Sequence, residues 1–296
     1  MNIFKRSYVL ITVFLPVAAA LIAWQFQLHT VLSKTEKPVS LDELHTQKVT
    51  SSDVVTWQQF GPGTSGYLET IEYHPTDNEC VMMSPDMFNT YASYNNGYTW
   101  QSVKDHDGNG GDLLRIRDYS FAEKEPDVGH CLDYNAQLWV TADRGRNWEK
   151  ANFDENLCSV VEISPYNSNI IFIGGGDFWH VKFNERRYNK PHHADNDADY
   201  GKVWRSDDKG QTWVLKNKGI PKDADLGKIK FHPVDEKTVY AATSHGLFKS
   251  TDLGGSWINI GKGLPRNMLR DLAMHYNKDT RTLTMVVIDQ VFWEPD

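Results

Sequence analysis

Five short stretches end an apolar run on a side chain that could move a proton: "MMSPDMFN", "CLDYNAQ", "IGGGDFWH", "ATSHG" and "VVIDQ". They supply Asp86, Asp133, Asp177, His245 and Asp289. Carboxylates and an imidazole gathered at one mouth would make a negative, concave entrance. Crowded carboxylates also raise one another's pKa, as a general acid requires. Two acids on opposite sides of a sugar, one activating a water and one donating a proton, are the arrangement of an inverting glycosidase. Asp86 and Asp177 are therefore the candidate catalytic pair, with Asp133, Trp179, His245 and Asp289 as a ligand rim. Taken singly, each Asp could do no more than open a turn.

Other clusters point to ions or ligands. In "DHDGNGGD", Asp105, Asp107 and Asn109 match three of the early ligand positions of a calcium loop, but Ile116 stands where the bidentate Glu belongs. Calcium could bind there, or the stretch could be a Gly/Asp-rich turn; no cofactor is required by any motif. The insertion "DFWHVKFNERRYNKPHHADNDADYGK" offers Trp179, Phe183 and Tyr188 for stacking and Arg186 and Arg187 as donors. Its His192, His193, Asp195, Asp197 and Asp199 have no fixed ligand spacing, which fits a solvated loop as well as an ion site.

Whether the acids meet depends on the elements that carry them. Four stretches align: "SYNNGYTW", "TADRGRNW", "SDDKGQTW" and "STDLGGSW", all obeying [ST]-x-[DN]-x-G-x-[NST]-W. Their starts lie 48, 65 and 44 residues apart. Upstream, "TIEYHP", "VVEISP" and "KIKFHP" each close a strand-like run on X-Pro. A period near 45 with four short strands per unit predicts an all-β β-propeller of about five blades, incomplete or closed by an N-terminal strand. "VVTWQQFGP" (Val54 to Pro62) reads as that closing strand. Each repeated residue has a structural task in the turn between third and fourth strands. Ser93, Thr141, Ser206 and Ser250 supply the hydroxyl, and Asn95, Asp143, Asp208 and Asp252 accept turn amides. Gly97, Gly145, Gly210 and Gly254 take positive φ, and Trp100, Trp148, Trp213 and Trp257 fill the seam between sheets. These turns would share one face, the bottom; the candidate acids follow second strands and would lie on the other.

The pattern resembles the Asp-box, or bacterial neuraminidase repeat, shared by sialidases, xyloglucan-hydrolysing glycosidases, the sortilin luminal domain and certain photosystem assembly factors. "GPGTSGYLETIEYHPTDNECVMMSPDMFNTYASYNNGYTW" most resembles the opening blade of the xyloglucanase-like and sortilin-like group, and the resemblance covers roughly residues 54–296. It implies a catalytic place for Asp86, although Met87-Phe88-Asn89 stand where that group has Val-Gly-Gly, and the partner acid of those enzymes sits in a second propeller. It implies a glycan ligand, bound or hydrolysed at the top face, or a sortilin-like propeller holding a peptide or protein without catalysis. The three arginines and Tyr/Glu pair of a sialidase have no evident counterparts.

Bulk composition narrows the partners. The 296 residues are 40% hydrophobic, ample for a core, and carry a net charge of −8. Residues 1–34 contain only basic charges (Lys5, Arg6, Lys34), so the remainder is more acidic still and repels nucleic acid. The uncharged run from Tyr8 to Trp24 after Lys5-Arg6 reads as a cleaved signal peptide or a signal anchor, giving an extracytoplasmic protein that touches membrane through that segment alone. The expected organisation is 1–34 signal or anchor, 35–53 linker and 54–296 propeller, with truncation at the C-terminus as one reading of the missing last strand. Cys80, Cys131 and Cys158 show no zinc spacing; one bridge could form, leaving a thiol.

Overall fold

The computed structural model describes residues 8–14 (backbone path), 68–85, 89–105, 107–108, 113, 115–153, 158–176, 201–264 and 268–289. Regular structure among them is all strand. The apolar N-terminal run enters as β1 (Tyr8–Phe14). The first sheet is β2 (Leu68–His74), β3 (Asp77–Pro85), β4 (Tyr91–Ser93) and β5 (Gln101–Ser102). The second is β6 (Asp118–Phe121), β7 (Gly129–Leu132), β8 (Leu138–Thr141) and β9 (Glu149–Lys150). The third is β10 (Cys158–Ile163), β11 (Ile171–Gly175), β12 (Val203–Ser206) and β13 (Val214–Leu215). The fourth is β14 (Leu226–His232), β15 (Asp235–Thr243), β16 (Gly246–Ser250) and β17 (Ile258–Asn259). A fifth holds β18 (Leu269–Asn277), β19 (Thr282–Asp289) and β1. The four-stranded sheets are antiparallel meanders in chain order, and the first strands of all five line a common axial channel. The fold is a β-propeller.

Local chemistry sets the strand ends. Proline ends the first strand of three sheets because it cannot donate to a ladder, and the residue before it caps the turn. His74 Nδ1 accepts from Thr76 N at 3.3 Å, Ser164 Oγ from Tyr166 N at 3.2 Å, and His232 Nδ1 from Val234 N at 3.1 Å.

The four repeated turns share one network. The Gly amide donates to the leading hydroxyl: Gly97 to Ser93, Gly210 to Ser206 and Gly254 to Ser250 at 2.8 Å, and Gly145 to Thr141 at 2.9 Å. The same hydroxyl donates to the Asp or Asn oxygen, which also accepts the amide four residues on, 2.8–2.9 Å away. Glycine is needed there because φ is 80–86° in every turn. The preceding residue, Asn96, Arg144, Lys209 or Leu253, is also left-handed and donates its amide to a carbonyl in the turn before the second strand of its own sheet or at that strand's start. All these turns therefore lie at one end of the sheets, the lower end. Trp100 and Trp148 cap their own glycine carbonyls, Trp257 reaches Lys216 O, and the buried Trp213 Nε1 has no partner among the described residues.

Between sheets the packing runs backward along the chain. Alternate first-strand residues press on the sheet before: Tyr119 and Phe121 on Cys80 and Met82, Val161 and Ile163 on Leu132 and Leu138. Ile229 and Phe231 press on Val160 and Phe172, and Leu272 on Tyr240 and Leu247. The equivalent pair in the first sheet, Ile71 and Tyr73, is 49% and 55% exposed. No hydrophobic cluster joins the fifth sheet to the first among the described residues.

The edge of β19 is paired with β1 through a seven-residue antiparallel ladder, Tyr8 to Ile288 through Phe14 to Thr282; Val54–Pro62, read as a closing fourth strand, lies outside the described residues. A run with Val9, Ile11, Thr12 and Val13 has the β-branched content to satisfy a strand edge. No helix among the described residues is long and apolar enough to cross a membrane; residues 15–67 lie outside them. Cys80, Cys131 and Cys158 are all buried and free, so no bridge joins them. Burial pushes the Cys80 thiol up to about 11, which keeps it protonated and inert.

Candidate functional site

The axial channel is walled by first strands, whose side chains alternate, one set packing on the neighbouring sheet and the other facing the axis. The axis-facing set is charged. At mid-depth stand Glu72 from β2, Asp118 from β6, Glu162 from β10, Lys228 and Lys230 from β14, and Asp271 from β18. Lys228 Nζ lies 2.5 Å from Asp118 Oδ1, and Lys230 Nζ lies 3.0 Å from Glu162 Oε2. Asp118 Oδ2 also accepts from Val161 N at 3.0 Å, tying β6 to β10. Glu72 has no hydrogen-bond partner among the described residues. Asp271 accepts from its neighbour Leu272 N at 2.7 Å.

The electrostatics follow from burial. Desolvation raises the pKa of Glu72 and of Glu162, against the pull of the lysines. Burial works to lower Lys228, but the carboxylates of Asp118, Glu72 and Glu162 outweigh it and hold the ammonium charged far above neutral pH.

This charged layer separates two cavities. The upper, about 260 Å³, is walled by Glu69, Thr70, Arg117, Ser159, Lys228 and Arg270 among others. Arg115 clamps Glu69 at 2.6 Å, and Arg115 and Arg117 both lie over the Tyr134 ring. Gly227 lets β18 come close: a Cβ there would stand 2.3 Å from Arg270 O. The lower, about 670 Å³, opens among the X-Pro turns.

The residues singled out in the sequence fall differently. Asp86, Asp177, Trp179, Asn109 and the insertion at 177–200 lie outside the described residues. Asp133 is buried in the turn after β7, where its carboxylate accepts from Asn135 N at 2.8 Å, Gln137 N at 2.9 Å and Trp139 Nε1 at 3.0 Å. Burial raises its pKa, countered by those donors. It opens a turn. His245 Nε2 faces Asp223 Oδ1 at 3.3 Å, and Asp289 ends β19 opposite Leu269. None of these three lines either axial cavity. Each follows or ends a second strand, which stands one strand spacing out from the axis, and these three side chains stay outside the channel that first strands wall. Asp105 Oδ1 accepts from Asp107 N at 3.2 Å and Asp105 O from Gly108 N at 2.9 Å, the bonds of a turn. Among the described residues no group of three or more His, Cys, Asp or Glu is placed to hold a metal.

The channel residues were missed, although a signal existed. Glu72, Glu162 and Lys230 all stand three residues before the proline that ends their strand, a charge recurring inside an apolar run.

No protein-family model matches the chain, and no curated protein matches it. Solved structures do. An ancestral GH74 enzyme matches at TM-score 0.57 and 21% identity over 74% of this chain. The GH74 xyloglucanase from Xanthomonas campestris matches at 0.54 and 17% over 76%, and a GH74 enzyme from Niastella koreensis at 0.56 and 18% over 76%. The likeness is one of fold. The chain spans 27–34% of the length of those proteins.

Proposed function

We propose that the protein is an exported Asp-box propeller of the xyloglucanase-like group that binds a glycan at the upper end of its axial channel. The upper cavity carries the reading: donors and acceptors from all five first strands converge on one polar space, a wall suited to a hydroxyl-rich ligand. The shared hydrogen-bond network of the four turns supports the Asp-box assignment, and Lys5-Arg6 before an uncharged run supports export. Binding is favoured over hydrolysis because Asp118, Glu162, Glu69 and Asp133 each hold a structural partner. Hydrolysis would rest with Asp86 and Asp177.

Calorimetric titration with xyloglucan oligosaccharides tests this, alongside a reducing-end assay. Saturable binding, weakened at least about tenfold by Arg270→Ala, supports the reading. Reducing ends that vanish in Asp86→Asn and Asp177→Asn would add catalysis. A second reading, a peptide or protein ligand, is favoured by the mixed charges of Arg117, Arg270, Glu69 and Asp271 in that wall. Absence of glycan binding, with cross-linking of a protein near Arg270, would replace the first reading by the second.

A further inference from the structure

The lower cavity is chemically unlike the upper. Its floor is the charged layer, and its mouth is apolar and aromatic: Tyr73, Pro75, Pro165, Tyr166, Pro233 and Met274. Tyr73 is more than half exposed, and Tyr166 is held in place by its hydroxyl, which donates to His232 O at 2.6 Å. At about 670 Å³ the space is of small-molecule size.

Toward the lower cavity the floor carries more carboxylates than ammonium groups. Four carboxylates (Glu72, Asp118, Glu162, Asp271) meet two ammonium groups in the layer, with the Arg117 and Arg270 guanidiniums on its upper side, and hydrogen bonds tie Lys228 to Asp118 and Lys230 to Glu162. The remaining two are Glu72, which has no hydrogen-bond partner among the described residues, and Asp271, bonded to its own neighbouring amide. At the mouth Glu123 and Lys124 offset each other. A cation entering from below would meet the Tyr73 and Tyr166 side chains first and then Glu72. We propose that the lower end of the channel is a second site, for an organic ammonium ion carried on an apolar body.

The chemistry is that of cation recognition elsewhere. Ring faces attract an ammonium group as it loses water, and a desolvated carboxylate supplies a charge-assisted hydrogen bond. An anion is disfavoured by the two remaining carboxylates, and a neutral ligand of the same shape that offers no donor would leave Glu72 buried without a hydrogen bond. Burial already raises the Glu72 pKa, and a bound cation would bring it back down.

The probes are benzylammonium and its neutral isostere benzyl alcohol, titrated into the full chain by calorimetry at neutral pH. Benzylammonium should bind saturably and at least about tenfold more tightly than benzyl alcohol. Glu72→Gln, which keeps side-chain shape, should erase that preference, and Tyr73→Ala, an exposed position, should weaken the amine at least about threefold. Equal binding of the two probes overturns the proposal. So does amine binding that both variants leave within about twofold, or the lack of saturation up to about 10 mM. Because the glycan reading concerns the opposite end, xyloglucan binding by Tyr73→Ala protein should match wild type, which separates failure here from failure there.

Discussion

Trp148 and Trp213 hold the same position in successive repeats, yet their indole N–H groups differ. Trp148 Nε1 donates to Gly145 O at 3.0 Å, whereas Trp213 Nε1 is buried with no acceptor among the described residues. Chemical denaturation should show Trp148→Phe losing about 0.5–1.5 kcal/mol, and Trp213→Phe losing less or gaining, because no bond is broken there. His130 makes a sharper test. Burial lowers its pKa to about 4 from an ordinary 6.5. Above pH 6.5 neither folded nor unfolded chain protonates it; between 6.5 and 4 only the unfolded chain does, so stability falls as pH falls through that window. The loss should be on the order of 3 kcal/mol, and in His130→Gln the slope assigned to this group should vanish from urea melts taken across the window. At this scale the turn residues were legible in the sequence, since Ser206, Asp208 and Gly210 act on amides within a few positions. The Glu72 and Lys228 layer was not, because which side of a strand faces the axis is decided by distant sheets.

The repeated turn works as an element through its leading hydroxyl. Ser206 Oγ accepts from Gly210 N and Asp208 N and donates to Asp208 Oδ1 at 2.7 Å. Ser206→Ala should strand the Gly210 amide and cost about 1–3 kcal/mol, while Ser206→Thr should be tolerated, as Thr141 does the same task in the second turn. Bonds from the Thr212 hydroxyl and amide, with that from Ser206, hold the Asp208 pKa down at about 2. A depressed carboxylate contributes stability that is present above about pH 4 and lost as pH falls through the folded value, so Asp208→Asn should flatten the acid limb between pH 4 and 2. Four sheets were legible from period and turn chemistry. The partner of β19 was not: strand edges accept any suitable segment, and the apolar run at Tyr8–Phe14 met that need while also carrying the composition of an export signal.

Across the described sheets, equivalent first-strand positions differ in what stands before them. Ile229 is fully buried against the third sheet, and Ile71, its counterpart in β2, is half exposed. Thermal or urea unfolding should show Ile229→Ala costing about 2–5 kcal/mol and Ile71→Ala within about 0.5 kcal/mol of wild type. Equal costs would mean that Ile71 is covered in solution. The five-sheet architecture was legible because each unit repeats its own pattern; the seam between last and first sheets was not, since no local motif encodes what closes a ring. The backward-leaning contacts also bear on biosynthesis. Each new sheet finds its docking surface already made, so the protein can be assembled in the order the ribosome delivers it, every unit templated by its elder neighbour. A nascent chain halted after Leu215 should then already protect Phe121 and Ile163 from protease, long before the fourth sheet exists.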